Sequence, residues 1–165
     1  MSKTALRNAL LGWTAMMLVA GAVSLIPAKV PAWSLPTNLG EPAALRDLGG
    51  KEIGVLLYVS KVACGAHTRN LAEQVQVQQL LKENPRYAVK VVYGEATEAG
   101  ARALTERYTD APILLDPARK LASELDFGSA AVVLYRPNGR IIELAKDRLL
   151  PVNGDVLQLL DRNTR

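Results

Sequence analysis

The sequence predicts an α/β domain in which a mixed central sheet is flanked by helices, preceded by one apolar N-terminal helix. Two observations lead to this fold class. Continuous apolar runs, typical of strands buried on both faces, alternate with segments of helical periodicity. The order of predicted elements ends with two strands and a last helix. The two strands are joined by Asn138-Gly139, which is a strong hairpin signal. Alternation indicates parallel strands with helices on both faces, and the hairpin adds antiparallel strands at one edge.

The predicted strands are short runs rich in branched apolar residues, at 53–59, 87–93, 112–115, 131–135 and 140–144. The predicted helices cover about 66–82, 95–108 and 154–162, and a further helix starts at Asp116-Pro117, with Asp as N-cap and Pro in the first turn. The residues expected to face inward on the first two helices are Leu71, Val75, Leu80 and Leu81, then Ala99, Ala103 and Leu104.

The first 27 residues are predicted to be a signal anchor or a signal peptide. Lys3 and Arg7 precede an uncharged apolar stretch over residues 9–26, which as a helix would span ~27 Å. The positive flank places the N-terminus in the cytoplasm and the domain on the periplasmic or extracytoplasmic side of the cell membrane. We favour an uncleaved single-pass anchor. Ala20-Gly21-Ala22 has the form of a cleavage site, so a cleaved signal peptide is the main alternative, ahead of a buried core helix or a mitochondrial presequence.

Prolines recur through the segment that follows the apolar stretch. Because proline fixes φ and lacks an amide donor, residues 28–44 are predicted to form an extended linker. The composition changes at about Leu45, so the folded domain is predicted to cover residues 45–165.

Charge and cysteine content exclude several classes of function. The formal net charge is +4, with basic and acidic residues interleaved, which argues against a nucleic-acid partner. The single cysteine, Cys64, excludes an intramolecular disulfide and a multi-cysteine zinc site. We predict no metal site and no cofactor. Four arginines are assigned to solvated surfaces: Arg102, Arg107, Arg119 and Arg136.

Three segments carry a resemblance to the thioredoxin-like superfamily over residues 45–160. They are the apolar strand leading to Cys64-Gly65-Ala66-His67, the segment PILLDPARKLASEL, and the final hairpin AAVVLYRPNGRI. The chain resembles the membrane-anchored, exported thiol–disulfide oxidoreductases and the peroxiredoxin-type redoxins of that superfamily. The resemblance implies a thioredoxin-like fold and a protein partner with a thiol or disulfide, or an external reducing thiol.

The motif at the first strand departs from both families. The second cysteine of the usual CxxC motif is replaced, so that the motif is Cys64-x-x-His67. Ala63 stands where an aromatic residue often precedes the first cysteine, and Lys61 stands where peroxiredoxins have a threonine. A standard dithiol mechanism is therefore excluded.

Two further family features are expected to be missing. The loop that faces the thiol normally carries a cis-proline, and this chain has Gly128-Ser129-Ala130-Ala131 there. Many thioredoxins keep a buried carboxylate on the first strand, and the corresponding residue here is Tyr58. The resemblance implies that Gly65, Ser129 and Ala130 contact the substrate.

Cys64 and His67 are the predicted catalytic residues. Cys64 falls where a loop enters a helix, and the unpaired amides there favour a thiolate. His67 lies about one helical turn further on, and Lys61 and Arg69 add positive charge. The thiolate would attack a disulfide or a peroxide, and an external thiol would have to resolve the product.

Other functions remain open at this point. The main alternative is a non-catalytic assembly factor or chaperone that binds a partner protein over the same face. A metal-handling module that borrows ligands from a partner ranks last. Cys64 could also be a small buried residue of the core with no catalytic role.

Overall fold

The computed structural model describes residues 29–60, 66–94, 97–146 and 152–162, with backbone alone for 66–69, 98, 152–155 and 157. Strands and helices alternate through the middle of these ranges. Their order is β1 (Ser34–Leu35), β2 (Ala43–Ala44), β3 (Ile53–Ser60), α1 (Ala66–Leu80), β4 (Tyr87–Gly94), α2 (Glu98–Arg107), β5 (Ile113–Asp116), α3 (Lys120–Glu124), β6 (Ala130–Tyr135), β7 (Ile141–Lys146) and α4 (Val152–Arg162).

Five strands form a mixed sheet in the order β5-β4-β3-β6-β7. The strands β3, β4 and β5 are parallel to one another, whereas β6 is antiparallel to both β3 and β7. Because β3 lies between β4 and β6, all eight of its residues are buried. The mixed central sheet, the terminal hairpin and the order of elements predicted from the sequence are confirmed.

Alternate residues of β3 enter two separate apolar clusters, one on each face of the sheet. Val55 and Leu57 pack with residues of α1, α2 and α4, such as Val75, Leu104 and Leu159. Leu56 and Tyr58 pack on the other face. That face is covered by the short helix α3 and its flanks and by the N-terminal segment, through Leu121, Leu125, Phe127, Val30, Leu35, Leu45 and Leu48. The helices therefore divide unequally between the faces.

The segment predicted to be a linker instead packs onto the domain. We call residues 29–48 the N-terminal strap. Its apolar side chains Val30 and Leu35 are buried, and its backbone pairs with the sheet through a bridge between Thr37 and Leu114. The prolines do not prevent this packing, because a carbonyl can still accept a ladder hydrogen bond, as Pro36 O does from Leu115 N at 2.8 Å. The folded unit thus begins before residue 45.

Several inward-facing residues were predicted wrongly. Leu80 is 70% exposed, because the adjacent Leu81 faces the core and neighbouring helical residues point about 100° apart. Helix α2 begins later than predicted, after Thr97, whose Oγ1 accepts a hydrogen bond from Gly100 N at 3.1 Å. In this helix Leu104 is buried, whereas Ala99 and Ala103 are exposed.

The predicted membrane segment, residues 1–27, lies outside the described residues. Within the part of the chain that the structure describes, no helix combines the length and apolarity needed to cross a membrane.

Candidate functional site

The predicted catalytic pair lies mostly outside the described residues. Cys64 and Gly65 fall in the interval 61–65, between the end of β3 and the start of α1, and His67 is described by its backbone in α1 alone. Their roles therefore stay predictions.

The carboxyl ends of the three parallel strands lie side by side at the edge from which the chain proceeds toward Cys64. Ser60 of β3 is in register with Gly94 of β4, which is in register with Asp116 of β5. Sites in open α/β sheets form at this edge, because the loops leaving parallel strands converge there. The topology thus brings the ends of β3, β4 and β5 together at this edge.

The loop predicted to contact substrate reaches the same edge. Because β6 is antiparallel to β3, the residues that precede β6 lie beside the end of β3. Ser60 N donates a hydrogen bond to Ser129 O at 2.8 Å. Ser129 is half-buried, and Ala130 is buried within β6 opposite Val59. We call residues 128–129 the loop before β6. This loop lies next to the strand that leads to Cys64, and its role in substrate binding stays a prediction.

A buried polar cluster occupies the sheet face below this edge. We call Tyr58, Asp116 and Arg119 the buried polar cluster. Asp116 is only 1% exposed, and its carboxylate accepts hydrogen bonds from Lys120 N at 2.8 Å and Leu121 N at 3.0 Å. The Tyr58 hydroxyl donates to Asp116 Oδ2 at 3.4 Å. The carboxylate thereby satisfies the first amides of α3, as a capping side chain does.

The Tyr58 hydroxyl is held in its protonated form. Burial raises the pKa of Tyr58 above its ordinary value, and the nearby charge of Asp116 raises it further. Arg119, which hydrogen-bonds the same hydroxyl, opposes this rise in pKa. Tyr58 therefore acts as a donor to Asp116 across the physiological range.

The buried polar cluster is hydrogen-bonded directly to the loop before β6. Arg119 Nη2 donates to Gly128 O at 2.7 Å. The ring of Phe127, the residue before that glycine, meets the Tyr58 ring edge to face, with centroids 4.8 Å apart. The position of the loop is therefore linked to the start of α3.

Sequence reasoning missed two members of this cluster. Tyr58 stays the predicted replacement for the carboxylate of the first predicted strand, and the structure shows that Asp116 brings a buried carboxylate to it from β5. Arg119, assigned to a solvated surface, instead lies half-buried between Tyr58 and Gly128. The available signal was the acid that directly follows the apolar run Ile113–Leu115, and Asp116 was interpreted only as a helix cap.

Two buried side-chain oxygens near the end of β3 have no hydrogen-bond partner among the described residues. They are Ser60 Oγ and Gln74 Oε1. The Nε2 atom of Gln74 donates to Tyr58 O at 3.5 Å, which places this side chain of α1 beside β3. Two buried oxygen atoms that could accept further hydrogen bonds thus lie near the end of β3, where the chain proceeds toward Cys64.

Among the residues that the structure describes, no group of three or more His, Cys, Asp or Glu residues is arranged to hold a metal ion.

Comparisons with known proteins define the fold. No protein-family profile matches the sequence, and no curated protein matches it. Solved structures do match. An exposed lipoprotein thioredoxin from Streptococcus pneumoniae is 20% identical, with a TM-score of 0.62 over 79% of this chain and 98% of the other. The peroxidoxin BcpB from Mycobacterium tuberculosis is 15% identical, with a TM-score of 0.64 over 84% and 97%.

A third match is the thioredoxin domain of a thiol–disulfide oxidoreductase from Bacteroides vulgatus. It is 16% identical, with a TM-score of 0.61 over 86% of this chain and 100% of the other. At these identities the likeness establishes the fold. The chain has the thioredoxin-like fold, as the sequence resemblance predicted.

Proposed function

We propose that this chain is an exported, membrane-anchored thioredoxin-like protein that uses the single thiol of Cys64 in thiol–disulfide exchange or in the reduction of an oxidant. One observation carries the proposal. The only cysteine in the sequence falls within residues 61–65, directly after β3, and β3 ends at the sheet edge where the carboxyl ends of three parallel strands meet. The thioredoxin, the peroxidoxin and the thiol–disulfide oxidoreductase that share this fold support the same chemistry.

The exchange reaction would run in two steps with an external thiol. The Cys64 thiolate attacks one sulfur of a partner disulfide, forms a mixed disulfide and releases the other sulfur as a thiolate. An external thiolate then attacks the partner's sulfur in the mixed disulfide, which frees Cys64 and leaves the partner joined to the external thiol. Because the sequence holds one cysteine, this second step cannot be intramolecular.

Reduction of an oxidant would also require an external thiol. A peroxide transfers one oxygen to the thiolate, giving a sulfenic acid and an alcohol or water. A first external thiol condenses with the sulfenic acid to a mixed disulfide and water. A second external thiol then restores Cys64 and leaves as a disulfide with the first.

The proposed location follows from the N-terminal sequence alone. The apolar stretch within residues 1–27 would anchor the chain in the cell membrane as a single pass. The domain would then meet its thiol or disulfide partner on the periplasmic or extracytoplasmic side, where disulfides persist.

The test is pH-resolved alkylation of Cys64 in the full chain, with the same chain unfolded in urea as the reference. Because the sequence has one cysteine, all incorporated label reports on this thiol. We expect the folded chain to react at lower pH than the unfolded chain, and we expect His67→Ala to reduce that difference.

The companion experiment is capture of mixed disulfides from an extracytoplasmic extract. Wild type should trap specific thiol-bearing partners, and Cys64→Ser should trap none. A thiol that reacts alike in folded and unfolded chains, together with full function of Cys64→Ser in cells, would reject the proposal and favour the non-catalytic binding protein.

A further inference from the structure

The loop before β6 is held at two points, by main chain on one side and by a side chain on the other. Ser129 O accepts from Ser60 N at 2.8 Å. Gly128 O accepts from Arg119 Nη2 at 2.7 Å. Both carbonyls therefore accept hydrogen bonds from residues outside the loop.

Arg119 adopts an unfavourable backbone conformation while it makes this bond. Its φ is 52° and its ψ is 31°, in the left-handed region that side chains other than glycine rarely adopt. Such a residue persists only where surrounding contacts over-determine it. The contacts of Arg119 include the Gly128 carbonyl and the Tyr58 hydroxyl.

The helix that follows Arg119 is fixed at both ends. Asp116 binds the first two amides of α3, and Asp126, just beyond its end, also has a positive φ, of 53°. Phe127 N donates to Ala122 O at 3.0 Å, which closes the turn that leads into Gly128. Hydrogen bonds therefore connect the short helix to Asp116 before it and to Phe127 after it, on either side of the Arg119–Gly128 contact.

From this geometry we infer that Arg119 is a positioning residue, which holds the Gly128–Ser129 backbone beside the end of β3 so that a disulfide-bearing protein can dock at the sheet edge. This inference rests on the proposed function. The guanidinium touches the loop through the Gly128 carbonyl. We therefore assign Arg119 to docking of the partner, and the reactivity of Cys64 is the property that the test holds separate.

The test compares Arg119→Met, which keeps an apolar stem and removes the donors, with Arg119→Lys, which keeps one charged donor. The activity is reduction of insulin by the full chain with glutathione as the external thiol. Loss of a charge-assisted hydrogen bond predicts a rise in KM on the order of tenfold for Arg119→Met, with little change in kcat. Arg119→Lys should recover part of this loss, and alkylation of Cys64 by iodoacetamide should be unchanged in both variants.

Arg136→Met serves as the matched control, because Arg136 is exposed at the far end of β6. It should behave as wild type in every assay. Arg119→Gly adds a variant that relieves the left-handed backbone and still lacks the donor. It should reproduce the high KM without loss of stability.

Amide hydrogen exchange supplies a readout that does not require activity. Arg119→Met should speed exchange across residues 127–130 at least tenfold and leave α1 and β4 unchanged. A variant with wild-type KM and wild-type exchange in this loop would overturn the inference while leaving the proposed function intact. Activity that survives in Cys64→Ser would reject the proposed function, and the exchange result would still decide the role of Arg119.

Discussion

At the scale of single residues, two glycines in the sheet mark places where a tyrosine lies against the backbone. A Cβ on Gly54 would overlap the Tyr135 ring, and a Cβ on Gly94 would overlap the Tyr58 hydroxyl. Glycine normally weakens a strand, but here its missing side chain makes room for a fully buried aromatic residue. The position of Tyr58, and through it that of the buried polar cluster, therefore depends on Gly94.

We predict that Gly94→Ala lowers the free energy of unfolding by about 1–3 kcal/mol, as over-packing of a core does. The reason is that Tyr58 is buried on all sides and cannot move aside. Urea unfolding followed by circular dichroism measures the change.

The matched control is the same substitution in a Tyr58→Phe background, where the hydroxyl that fills the space is absent. The loss of unfolding free energy caused by Gly94→Ala should be smaller there. The two substitutions together should then destabilise the protein by less than the sum of their separate effects. An equal cost in both backgrounds would show that the hydroxyl is not the cause.

At the scale of elements, the N-terminal strap covers one face of the sheet together with α3. The two covering pieces are also joined to each other. Lys120 Nζ lies 4.7 Å from the centroid of the Trp33 ring, and Trp33 Nε1 donates to Glu124 Oε1 at 3.4 Å. The strap is therefore part of the folded unit and holds the helix that carries the loop.

We predict that a chain shortened to begin at Gly49 loses cooperative unfolding. It would lack four buried aliphatic side chains, Val30, Leu35, Leu45 and Leu48. At roughly 1.5–3 kcal/mol each, these are comparable with the whole stability of a domain, about 5–15 kcal/mol. Thermal unfolding and dye binding to exposed apolar surface provide the measurements.

A chain shortened to begin at Lys29 is the control, because it keeps the whole strap. It should unfold in one cooperative transition. Cooperative unfolding of the shorter chain at the same temperature would show that the strap is dispensable.

At the scale of the whole molecule, two buried tyrosines make stability depend on alkaline pH. Burial raises the pKa of both Tyr58 and Tyr135 above the ordinary value. A raised pKa means that the folded state keeps its proton when the unfolded state has lost it. The stabilisation is therefore complete below about pH 10 and is lost as pH rises above it, at about 1.4 kcal/mol per pH unit for each tyrosine.

We predict that Tyr135→Phe flattens this alkaline loss, because one of the two titrating groups is removed. At neutral pH the variant should be less stable by about 1–3 kcal/mol, because the Tyr135 hydroxyl donates to Leu45 O and the buried carbonyl would lose its partner. Urea unfolding between pH 7 and about pH 11 measures both effects. A variant curve parallel to that of wild type above pH 10 would contradict this explanation.

The sequence predicted most of the elements, because their signals are local. The run Ile53–Ser60 is apolar at nearly every position, which is typical of a central strand, and Asn138-Gly139 marks a tight turn in which Gly139 has φ 83°. The interval that contains Cys64 was also located by local pattern, since it lies between a clear strand and a clear helix.

Alone, the sequence determined the fold class, the order of the strands along the chain and the single thiol available for chemistry. Only the tertiary structure decided that the proline-rich strap covers the sheet, and that Tyr58, Asp116 and Arg119 lie together beneath the loop at Gly128. The physical reason is distance along the chain: Tyr58 and Asp116 are 58 residues apart. Periodicity and turn chemistry report neighbours within a few residues, whereas contacts of this kind exist only once the strands have paired.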